Sequence, residues 1–130
     1  MGDDLIAYLD TSIAVWMSQG KISSLSKDAK GILRRADLLI SPMVLVELEL
    51  LYEIRRTKLR SRDIQLKIEH ELGVKVCGLD FPSIASAAVG EKWTRDPFDR
   101  IIVAHAKANG FAPLVSVDAQ MAKHYPRTVW

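Results

Sequence analysis

Four carboxylates that are far apart in the sequence each lie where an apolar segment meets a turn or the start of a predicted helix. They are Asp10, Glu47, Asp99 and Asp118. Asp10 and Asp118 directly follow strand-like runs, and in an open parallel α/β sheet functional groups gather beyond the carboxyl ends of the strands. Four carboxylates in one crevice would repel one another unless a cation with oxygen ligands lay between them. The pattern therefore predicts a site for Mg²⁺ or Mn²⁺.

Each of these carboxylates also has a structural interpretation that the sequence leaves open. Asp10 and Asp118 are placed to cap the helices predicted after them, and Asp118 equally suits a turn. Glu47 lies in a helical segment that is apolar on nearly every side, so its carboxylate must be paired, protonated or bound to a metal. The structural alternative for Glu47 is a salt bridge to a neighbouring arginine. We expect Glu49 and Glu53 of the same segment to face solvent.

Asp96 and Asp99 bracket a Pro-Phe pair with the spacing of an N-cap and the third residue of a helix. Both carboxylates could stabilise that helix through its backbone amides and its macrodipole, and this is the interpretation we favour for Asp96. Asp99 shares a helix face with Ile102, Val103 and Ala106, which form the predicted core-facing stripe. We therefore expect Asp99 to belong to the functional site.

Length and composition predict one globular domain that comprises residues 1–130. A composition that is 48% hydrophobic and 26% charged is typical of a folded chain with a core rather than of a disordered one. The longest apolar stretch, residues 43–54, contains three glutamates and is too short to span a bilayer. The N-terminal segment has the features of neither a signal peptide nor a myristoylation site. We expect a soluble, cytoplasmic protein that does not bind a membrane.

Short apolar runs alternate with amphipathic segments along the whole chain, which predicts a parallel sheet covered by helices on both faces. The predicted strands are residues 6–9, 38–40, 74–79 and 114–117, with a possible edge strand at 128–130. The predicted helices run from Thr11 to Gly20 with Thr11 or Ser12 as the cap, from Ser26 to Ala36, from Pro42 to Arg56, from Ser61 as the cap to Gly73, from Ile84 to Trp93, from Pro97 to Asn109, and from Ala119 to Tyr125.

Several classes of site are excluded by the residue types present. The single cysteine, Cys77, cannot form an internal disulfide and is predicted to be a buried apolar residue. The three histidines, His70, His105 and His124, lack the spacing of zinc ligands and are predicted to lie at the surface or in a satisfied core position. The chain has no Gly-rich phosphate loop and no Gly-x-Ser-x-Gly motif, which argues against nucleotide-cofactor enzymes and serine hydrolases.

Basic residues concentrate between two of the predicted helices. The net charge is only +2, but a local cluster of cations can hold phosphates or an acidic partner strand. The alternative is an ordinary solvated connection between helices. The members of this cluster are Arg55, Arg56, Lys58, Arg60 and Arg62.

Four segments together resemble the PIN-domain family, and most of all its VapC-type toxins from toxin–antitoxin pairs. These segments are Leu9-Asp10-Thr11, Ser41 followed six residues later by Glu47, Asp96-Pro-Phe-Asp99-Arg-Ile-Ile-Val-Ala104, and Val115-Ser116-Val-Asp118. They occur in the family's order over essentially the whole chain. The resemblance implies a three-layer α/β/α sandwich with a central parallel sheet, Mg²⁺- or Mn²⁺-dependent endoribonuclease activity, homodimerisation, and inhibition by a cognate antitoxin.

Residue by residue, the resemblance assigns roles to seven positions. Asp10, Glu47, Asp99 and Asp118 match the family's acidic quartet of catalytic metal ligands, Thr11 and Ser116 match its hydroxyl positions, and Asp96 matches an extra acid of the Asp-Pro-Phe-Asp-Arg branch. Serine replaces the commoner threonine at position 116, and Trp93-Thr94-Arg95 directly precedes Asp96 where the family frequently has a histidine. Neither difference affects the expected chemistry.

The resemblance also implies a mechanism and an RNA substrate. A cation held by Asp10, Asp99 and Asp118, with Glu47 binding directly or through water, would lower the pKa of a bound water that attacks the phosphate in line. Hydrolysis would then leave a 5′-phosphate and a 3′-hydroxyl. Further candidates for contact with RNA are Arg95, Arg100 and the basic cluster, together with Trp16, Trp93 and Tyr52 for stacking. Arg100 is more strongly predicted to pair with a site carboxylate.

Two other functions remain open from the sequence. A phosphoacceptor signalling domain also holds magnesium at the carboxyl edge of a parallel sheet, but it needs an acidic pair after its first strand, where this chain has Asp10 alone. A non-catalytic PIN-like module that binds RNA or a protein is the second alternative. Such a module has no need to retain four mutually repelling carboxylates.

Overall fold

The computed structural model describes residues 5–130, which form a five-stranded sheet in which every neighbouring pair of strands is parallel. The strand order is β3-β2-β1-β4-β5. The strands are β1 (Ile6–Leu9), β2 (Asp37–Ile40), β3 (Lys75–Val76), β4 (Leu114–Val115) and β5 (Thr128–Val129).

Helices connect successive strands and cover the sheet, so the predicted three-layer α/β/α fold is confirmed. Within the described residues they are α1 (Thr11–Ser18), α2 (Lys27–Arg35), α3 (Pro42–Glu53), α4 (Ser61–Leu72), α5 (Phe81–Ala88), α6 (Pro97–Ala108) and α7 (Ala119–His124), with one 3₁₀ turn at Ile22–Ser24. The helices α1, α3 and α4 pack against one another, and α5 packs along α6. None of the helices in residues 5–130 is long and apolar enough to cross a membrane.

The core is centred on β1, the middle strand of the sheet. Ala7, Tyr8 and Leu9 are all fully buried because β2 and β4 flank this strand and helices cover its faces. A strand buried on both faces is expected to be continuously apolar, which is the pattern seen here. Leu114 and Val115 of β4 are buried in the same way.

Capping residues explain most of the helix boundaries. Ser41 accepts a hydrogen bond of 3.1 Å from the backbone N–H of Met43, and Pro42 occupies the first helical position of α3, as predicted. Gly73 ends α4 with φ of 70°, a left-handed conformation that costs glycine little. Cys77 is buried, as predicted, and lies 3.0 Å from the Tyr8 hydroxyl.

Two predicted caps are wrong. Ser61 is the first helical residue of α4 rather than its cap, because its hydroxyl donates a hydrogen bond of 2.6 Å to the carbonyl oxygen of Leu45 on α3. The cap of α1 is Asp10, not Thr11 or Ser12, since the Asp10 carboxylate accepts a hydrogen bond from the backbone N–H of Thr11. The Ser61 error arises from a contact 16 residues away, whereas the Asp10 cap is the local alternative that the sequence also offered for this helix.

Other predicted elements differ in their limits. The helix predicted over residues 84–93 covers Phe81–Ala88, because Asp80 caps it by accepting a hydrogen bond of 3.3 Å from the backbone N–H of Ser83. The strands predicted over 74–79 and 114–117 shorten to two residues each, Lys75–Val76 and Leu114–Val115. Strand β3 lies at the edge of the sheet, the position for which its lysine is suited.

The strand order creates a crevice between the carboxyl ends of β1 and β4. From β1 the chain crosses over to β2 on one side, whereas from β4 it crosses over to β5 on the other side. The connections therefore diverge at this point and leave a gap above the sheet, which is where ligands bind in open α/β folds. Asp10 follows β1, and Ser116 and Asp118 follow β4.

Candidate active site

Five carboxylates line a single pocket of about 560 Å³ at this crevice, which we call the acidic pocket. They come from the end of β1, from α3, from the start of α6 and from the residue before α7. The four acids that the sequence singled out are thus brought together, and one further acid joins them. The five are Asp10, Glu47, Asp96, Asp99 and Asp118.

Asp10 lies deepest among these carboxylates, with an exposed fraction of only 6%. Its Oδ1 accepts a hydrogen bond of 2.8 Å from the backbone N–H of Thr11, and its Oδ2 accepts one of 2.7 Å from the Ser116 hydroxyl. Burial raises the pKa of Asp10, while these two hydrogen bonds oppose that shift. The charges of Asp118 and Asp96 raise the Asp10 pKa further.

Ser116 connects two of the acids. Its side chain is buried, and its hydroxyl oxygen accepts a hydrogen bond of 3.0 Å from the backbone N–H of Asp118 while it donates to Asp10. The hydroxyl thus sets the orientation of one carboxylate and the backbone position of the other. This is the geometry expected of a residue that supports the site rather than one that reacts.

Glu47 projects from α3 into the acidic pocket, where its Oε1 accepts a hydrogen bond from the Thr11 hydroxyl. Burial raises the pKa of Glu47, and the charges of Asp10 and Asp96 add to the increase. The ion pairs formed within residues 5–130 involve Glu49 and Glu91, not Glu47. The structural alternative, a salt bridge between Glu47 and an arginine, is therefore wrong.

Asp96 and Asp118 each cap a helix with one oxygen while they line the pocket. Oδ1 of Asp96 accepts hydrogen bonds from the backbone N–H groups of Phe98 at 2.8 Å and Asp99 at 3.4 Å, as the capping interpretation predicts. Oδ1 of Asp118 accepts hydrogen bonds from two backbone N–H groups at the start of α7, at 2.8 and 3.1 Å. Within the described residues, Oδ2 of each side chain accepts no hydrogen bond and is free to bind a ligand.

The pKa of Asp99 reflects the concentration of negative charge in the acidic pocket. This pKa is raised to about 7, first by burial and then by the charges of the other four acids. The predicted helix face is confirmed, because Ile102, Val103 and Ala106 are all fully buried along the same side of α6. Negative charge is therefore crowded here: Arg56 is the one cation among the described residues that line the pocket, and none of the five carboxylates forms an ion pair within residues 5–130.

The donor set fits a hard divalent cation. Carboxylate oxygens are the preferred ligands of Mg²⁺ and Mn²⁺, and neither histidine nor cysteine lines the pocket. In the part of the chain from residue 5 onwards, however, no three acidic, histidine or cysteine side chains already surround one point closely enough to hold an ion. The carboxylates would have to draw together around a cation.

The structure separates the cations that were predicted to contact RNA. Arg56 lines the acidic pocket, and Lys58 lines a second cavity beside it. Arg60 instead forms an ion pair with Glu49 and stacks over the Tyr52 ring at 5.3 Å. Glu49, which we expected to face solvent, is partly exposed and also accepts a hydrogen bond of 3.2 Å from the backbone N–H of Ser61 at the start of α4.

The other predicted cations do not line the acidic pocket. Arg62 lines a separate pocket with Arg60, Arg55 is exposed with φ of 64°, and Arg95 is exposed. The Nε of Arg100 donates a hydrogen bond of 2.8 Å to the carbonyl oxygen of Thr94, and the residue lines a small apolar pocket. Its predicted pairing with a site carboxylate is therefore wrong.

Several residues that line the pocket carried no signal in the sequence. They are Ser12, Val15, Leu51, Thr57 and Val117. Of the three aromatic candidates, only Trp16 lines the acidic pocket, while Trp93 stacks on the His124 ring at 5.2 Å. These residues are ordinary helix and loop residues in local pattern, and only packing reveals that they face the acids.

The comparisons with known proteins agree with this geometry. The model of the PIN domain family matches residues 7–125, which is nearly the whole chain. The chain belongs to the PIN-domain family. The resemblance predicted from the sequence is thereby confirmed, and the acidic pocket lies within the matched PIN segment. None of the curated proteins matches the chain.

Solved structures share this PIN fold. The chain is similar to a chain in the crystal structure of VapBC2 from Rickettsia felis, which is bound to a DNA fragment from the VapBC2 promoter. The two chains are 23% identical, 96% of each is covered, and the TM-score is 0.64. It is also similar to a chain of a toxin–antitoxin complex from Klebsiella pneumoniae, with 19% identity, 95% of this chain and 96% of that chain covered and a TM-score of 0.62. At these identities the likeness establishes the fold.

Proposed function

We propose that this protein is a Mg²⁺- or Mn²⁺-dependent endoribonuclease that acts as the toxin of a toxin–antitoxin pair. The observation that carries the proposal is the convergence of five carboxylates on one pocket, with a pKa of about 7 for Asp99. Such crowding is costly in the free protein and is relieved when a divalent cation binds. A site that retains this cost is suited to catalysis.

In this proposal each side chain that lines the acidic pocket has its own role. Asp10, Asp99 and Asp118 hold the cation, and Glu47 binds it directly or through water. A cation bound there would lower the pKa of a bound water and offset the negative charge of the scissile phosphate. Thr11 orients Glu47, and Ser116 orients Asp10, through the hydrogen bonds described above. Asp96 supports α6 and supplies a fifth negative charge.

The proposed partners follow from the family and from the solved relatives. Two structures that share the fold come from VapBC2 and from a toxin–antitoxin complex, which supports a cognate antitoxin as the partner of this chain. We further propose that residues 1–130 act as one domain in the cytoplasm and form a homodimer. Size-exclusion chromatography with light scattering tests the dimer.

The test of the proposal is the cleavage of total cellular RNA by the purified, antitoxin-free protein. We expect discrete fragments with Mg²⁺ or Mn²⁺, none with EDTA, and none from the Asp10→Asn variant. Asp28→Asn, which changes an exposed aspartate in the first turn of α2, is the matched control and should cleave like the unmodified protein. Absence of cleavage by folded, metal-loaded protein would favour the PIN-like binding module instead.

The ends of the fragments test the chemistry. Attack by water rather than by the ribose 2′-hydroxyl leaves a 5′-phosphate and a 3′-hydroxyl. Labelling of the products with a kinase before and after phosphatase treatment distinguishes these ends from others. A 2′,3′-cyclic phosphate would contradict the proposed reaction.

A further inference from the structure

A second cavity of about 550 Å³ adjoins the acidic pocket, and we call it the basic groove. Val15, Arg56 and Thr57 line both cavities, so the two form one continuous depression across α1 and the connection between α3 and α4. The described residues that line the basic groove include three cations and no carboxylate. They are Val15, Ser18, Gln19, Lys21, Arg56, Thr57, Lys58, Leu59 and Ile64.

The cations of the basic groove are available to a ligand. Lys21, Arg56 and Lys58 are exposed, and none of them forms an ion pair within residues 5–130. Arg60 of the same cluster differs, because Glu49 neutralises it. The depression therefore runs from five acids at one end, past Arg56, which lines both cavities, to Lys21 and Lys58 at the other.

An aromatic side chain lies beside this path. Trp16 lines the acidic pocket and is half-buried. Its ring makes an edge-type contact with the ring of Trp130, with 6.0 Å between the ring centroids and an interplanar angle of 62°. The contact restrains the ring while part of it stays accessible. A restrained aromatic ring next to a basic groove is the combination that proteins use to bind single-stranded nucleic acids, through base stacking and phosphate contacts.

We infer that the basic groove binds the sugar–phosphate backbone of an unpaired RNA strand on one side of the scissile bond, with Arg56 at the junction between the groove and the acids. This inference rests on the proposed nuclease function. Asp10 lies deep in the acidic pocket, so the scissile phosphate has to enter it. An unpaired strand can bend into such a pocket, whereas an A-form duplex holds its phosphates along a stiff rod.

The same cations also have a purely structural explanation. Lys21 follows the C-terminus of α1, where a positive charge offsets the helix dipole, and Lys58 belongs to an exposed connection. On that explanation, removal of both charges would alter the free energy of unfolding slightly and leave RNA binding unchanged. Measurements of RNA binding and of unfolding by urea, on the same variants, separate the two explanations.

The test compares two double variants of the full chain. Lys21→Gln with Lys58→Gln removes two groove cations and leaves every residue of the acidic pocket in place. Lys27→Gln with Lys75→Gln removes two exposed lysines that line neither cavity and is the matched control. Fluorescence anisotropy with a labelled polyuridine RNA, in EDTA and over a range of salt concentrations, measures binding without cleavage.

We expect the groove variant to bind the RNA about tenfold more weakly at low salt and to lower the slope of log affinity against log salt by about 1.4, the value for two phosphate contacts on a single strand. The control should match the unmodified protein. Equal affinity and slope for both double variants would overturn the inference, and so would tighter binding of an RNA duplex than of the single strand.

Catalytic measurements separate this inference from the nuclease proposal. The groove variant should have a higher KM for a short unpaired RNA than the unmodified protein. Its activity on bis(p-nitrophenyl) phosphate should stay unchanged, because that substrate is too small to reach the groove. Loss of both activities would overturn the inference, since it would mean that the groove lysines act on the pocket itself. If the unmodified protein cleaves neither substrate, the nuclease proposal fails, and the anisotropy result still decides whether the groove binds RNA.

Discussion

The Ser116 hydroxyl donates a hydrogen bond of 2.7 Å to Oδ2 of Asp10 across 106 positions of sequence. This bond joins the carboxyl ends of β1 and β4, the two strands between which the crevice opens. The same hydroxyl accepts a hydrogen bond from the backbone N–H of Asp118. One buried side chain therefore aligns two of the acids that we propose as cation ligands.

Replacement of Ser116 by alanine should weaken both the fold and the activity. The substitution removes a donor from the buried Asp10 and an acceptor from the Asp118 backbone, which costs about 1–2 kcal/mol of the free energy of unfolding. RNA cleavage should fall because Asp10 loses its fixed orientation. Urea unfolding and cleavage of total RNA measure the two effects.

Ser116→Thr is the matched control for this prediction. It keeps the hydroxyl and should therefore retain most of the cleavage that Ser116→Ala loses. If alanine and threonine at position 116 gave the same activity as serine, the hydrogen bond to Asp10 would have no role in the site.

Asp99→Asn should stabilise the metal-free protein at neutral and alkaline pH. The pKa of Asp99 in the folded protein is about 7, above its ordinary value of 3.8, so folding stability falls as the pH rises from about 4 to 7 and the full cost is present above pH 7. Removal of the charge should recover about 1–2 kcal/mol at pH 8, after allowance for solvent screening.

The measurement is urea unfolding in EDTA at pH 5 and pH 8, with Asp28→Asn as a control at an exposed site. The difference between Asp99→Asn and the unmodified protein should grow with pH, and added Mg²⁺ should stabilise the unmodified protein more than the variant. A difference that did not change with pH would argue against charge crowding at Asp99.

His105 should make the protein less stable in mild acid. The ring is fully buried, its Nδ1 lies 3.3 Å from the carbonyl oxygen of Ile101, and its Nε2 has no hydrogen-bond partner within the described residues. Burial lowers the pKa of His105 below its ordinary value of 6.5, so the unfolded chain binds the proton more readily. Stability is therefore retained above pH 6.5 and lost as the pH falls below it.

His105→Phe should remove the loss of unfolding free energy that His105 causes as the pH falls below 6.5, because it keeps an aromatic ring and removes the titrating group. The stability of the variant relative to the unmodified protein should therefore increase as the pH falls. The exposed His70, changed to glutamine, should leave the dependence of the unfolding free energy on pH as it is. Identical pH profiles for His105→Phe and the unmodified protein would show that another group controls acid unfolding.

Glu91 should stabilise the folded protein by holding the segment that precedes Asp96 against α6. It is 8% exposed, its Oε2 accepts a hydrogen bond of 2.7 Å from Lys107 on α6, and its Oε1 accepts one of 3.0 Å from the indole of Trp93. Glu91→Gln removes the charge and should cost about 1–2 kcal/mol, since Lys107 is partly exposed and retains some hydration.

Urea unfolding checks this value, with the exposed Glu53→Gln as the control that should not change stability. An equal midpoint for Glu91→Gln and the unmodified protein would mean that the Lys107 and Trp93 contacts contribute nothing net.

Much of the fold follows from local patterns. Three helix ends are set by interactions with residues two to four positions away: those at the Ser41-Pro42 pair, at Gly73 and at the Asp96-Pro97 pair. Each of these ends occurs in the structure where the sequence predicts it. The alternation of apolar runs with helices predicted the parallel sheet, and the carboxyl edge of such a sheet predicted the meeting of Asp10 with Asp118.

The local details that failed depend on which acceptor the folded chain brings within reach of a side chain. Ser61 lies inside α4 because Leu45 on α3 offers an acceptor, and Arg100 binds the Thr94 carbonyl rather than a carboxylate. The roles of the acids in catalysis stay predictions, which the RNA cleavage assay addresses.

By itself, the sequence determined the fold class, the resemblance to the PIN-domain family and four of the five acids that meet, because periodicity, helix caps and motif order are local or linear properties. The tertiary structure alone decided which cations stand near those acids, that Ser116 aligns Asp10, and that Lys21 joins Arg56 and Lys58 in one groove. The physical reason is that strand order and helix packing set distances between segments many residues apart. A charge acts on whatever lies within a few ångströms of it in space, however far away that is along the chain.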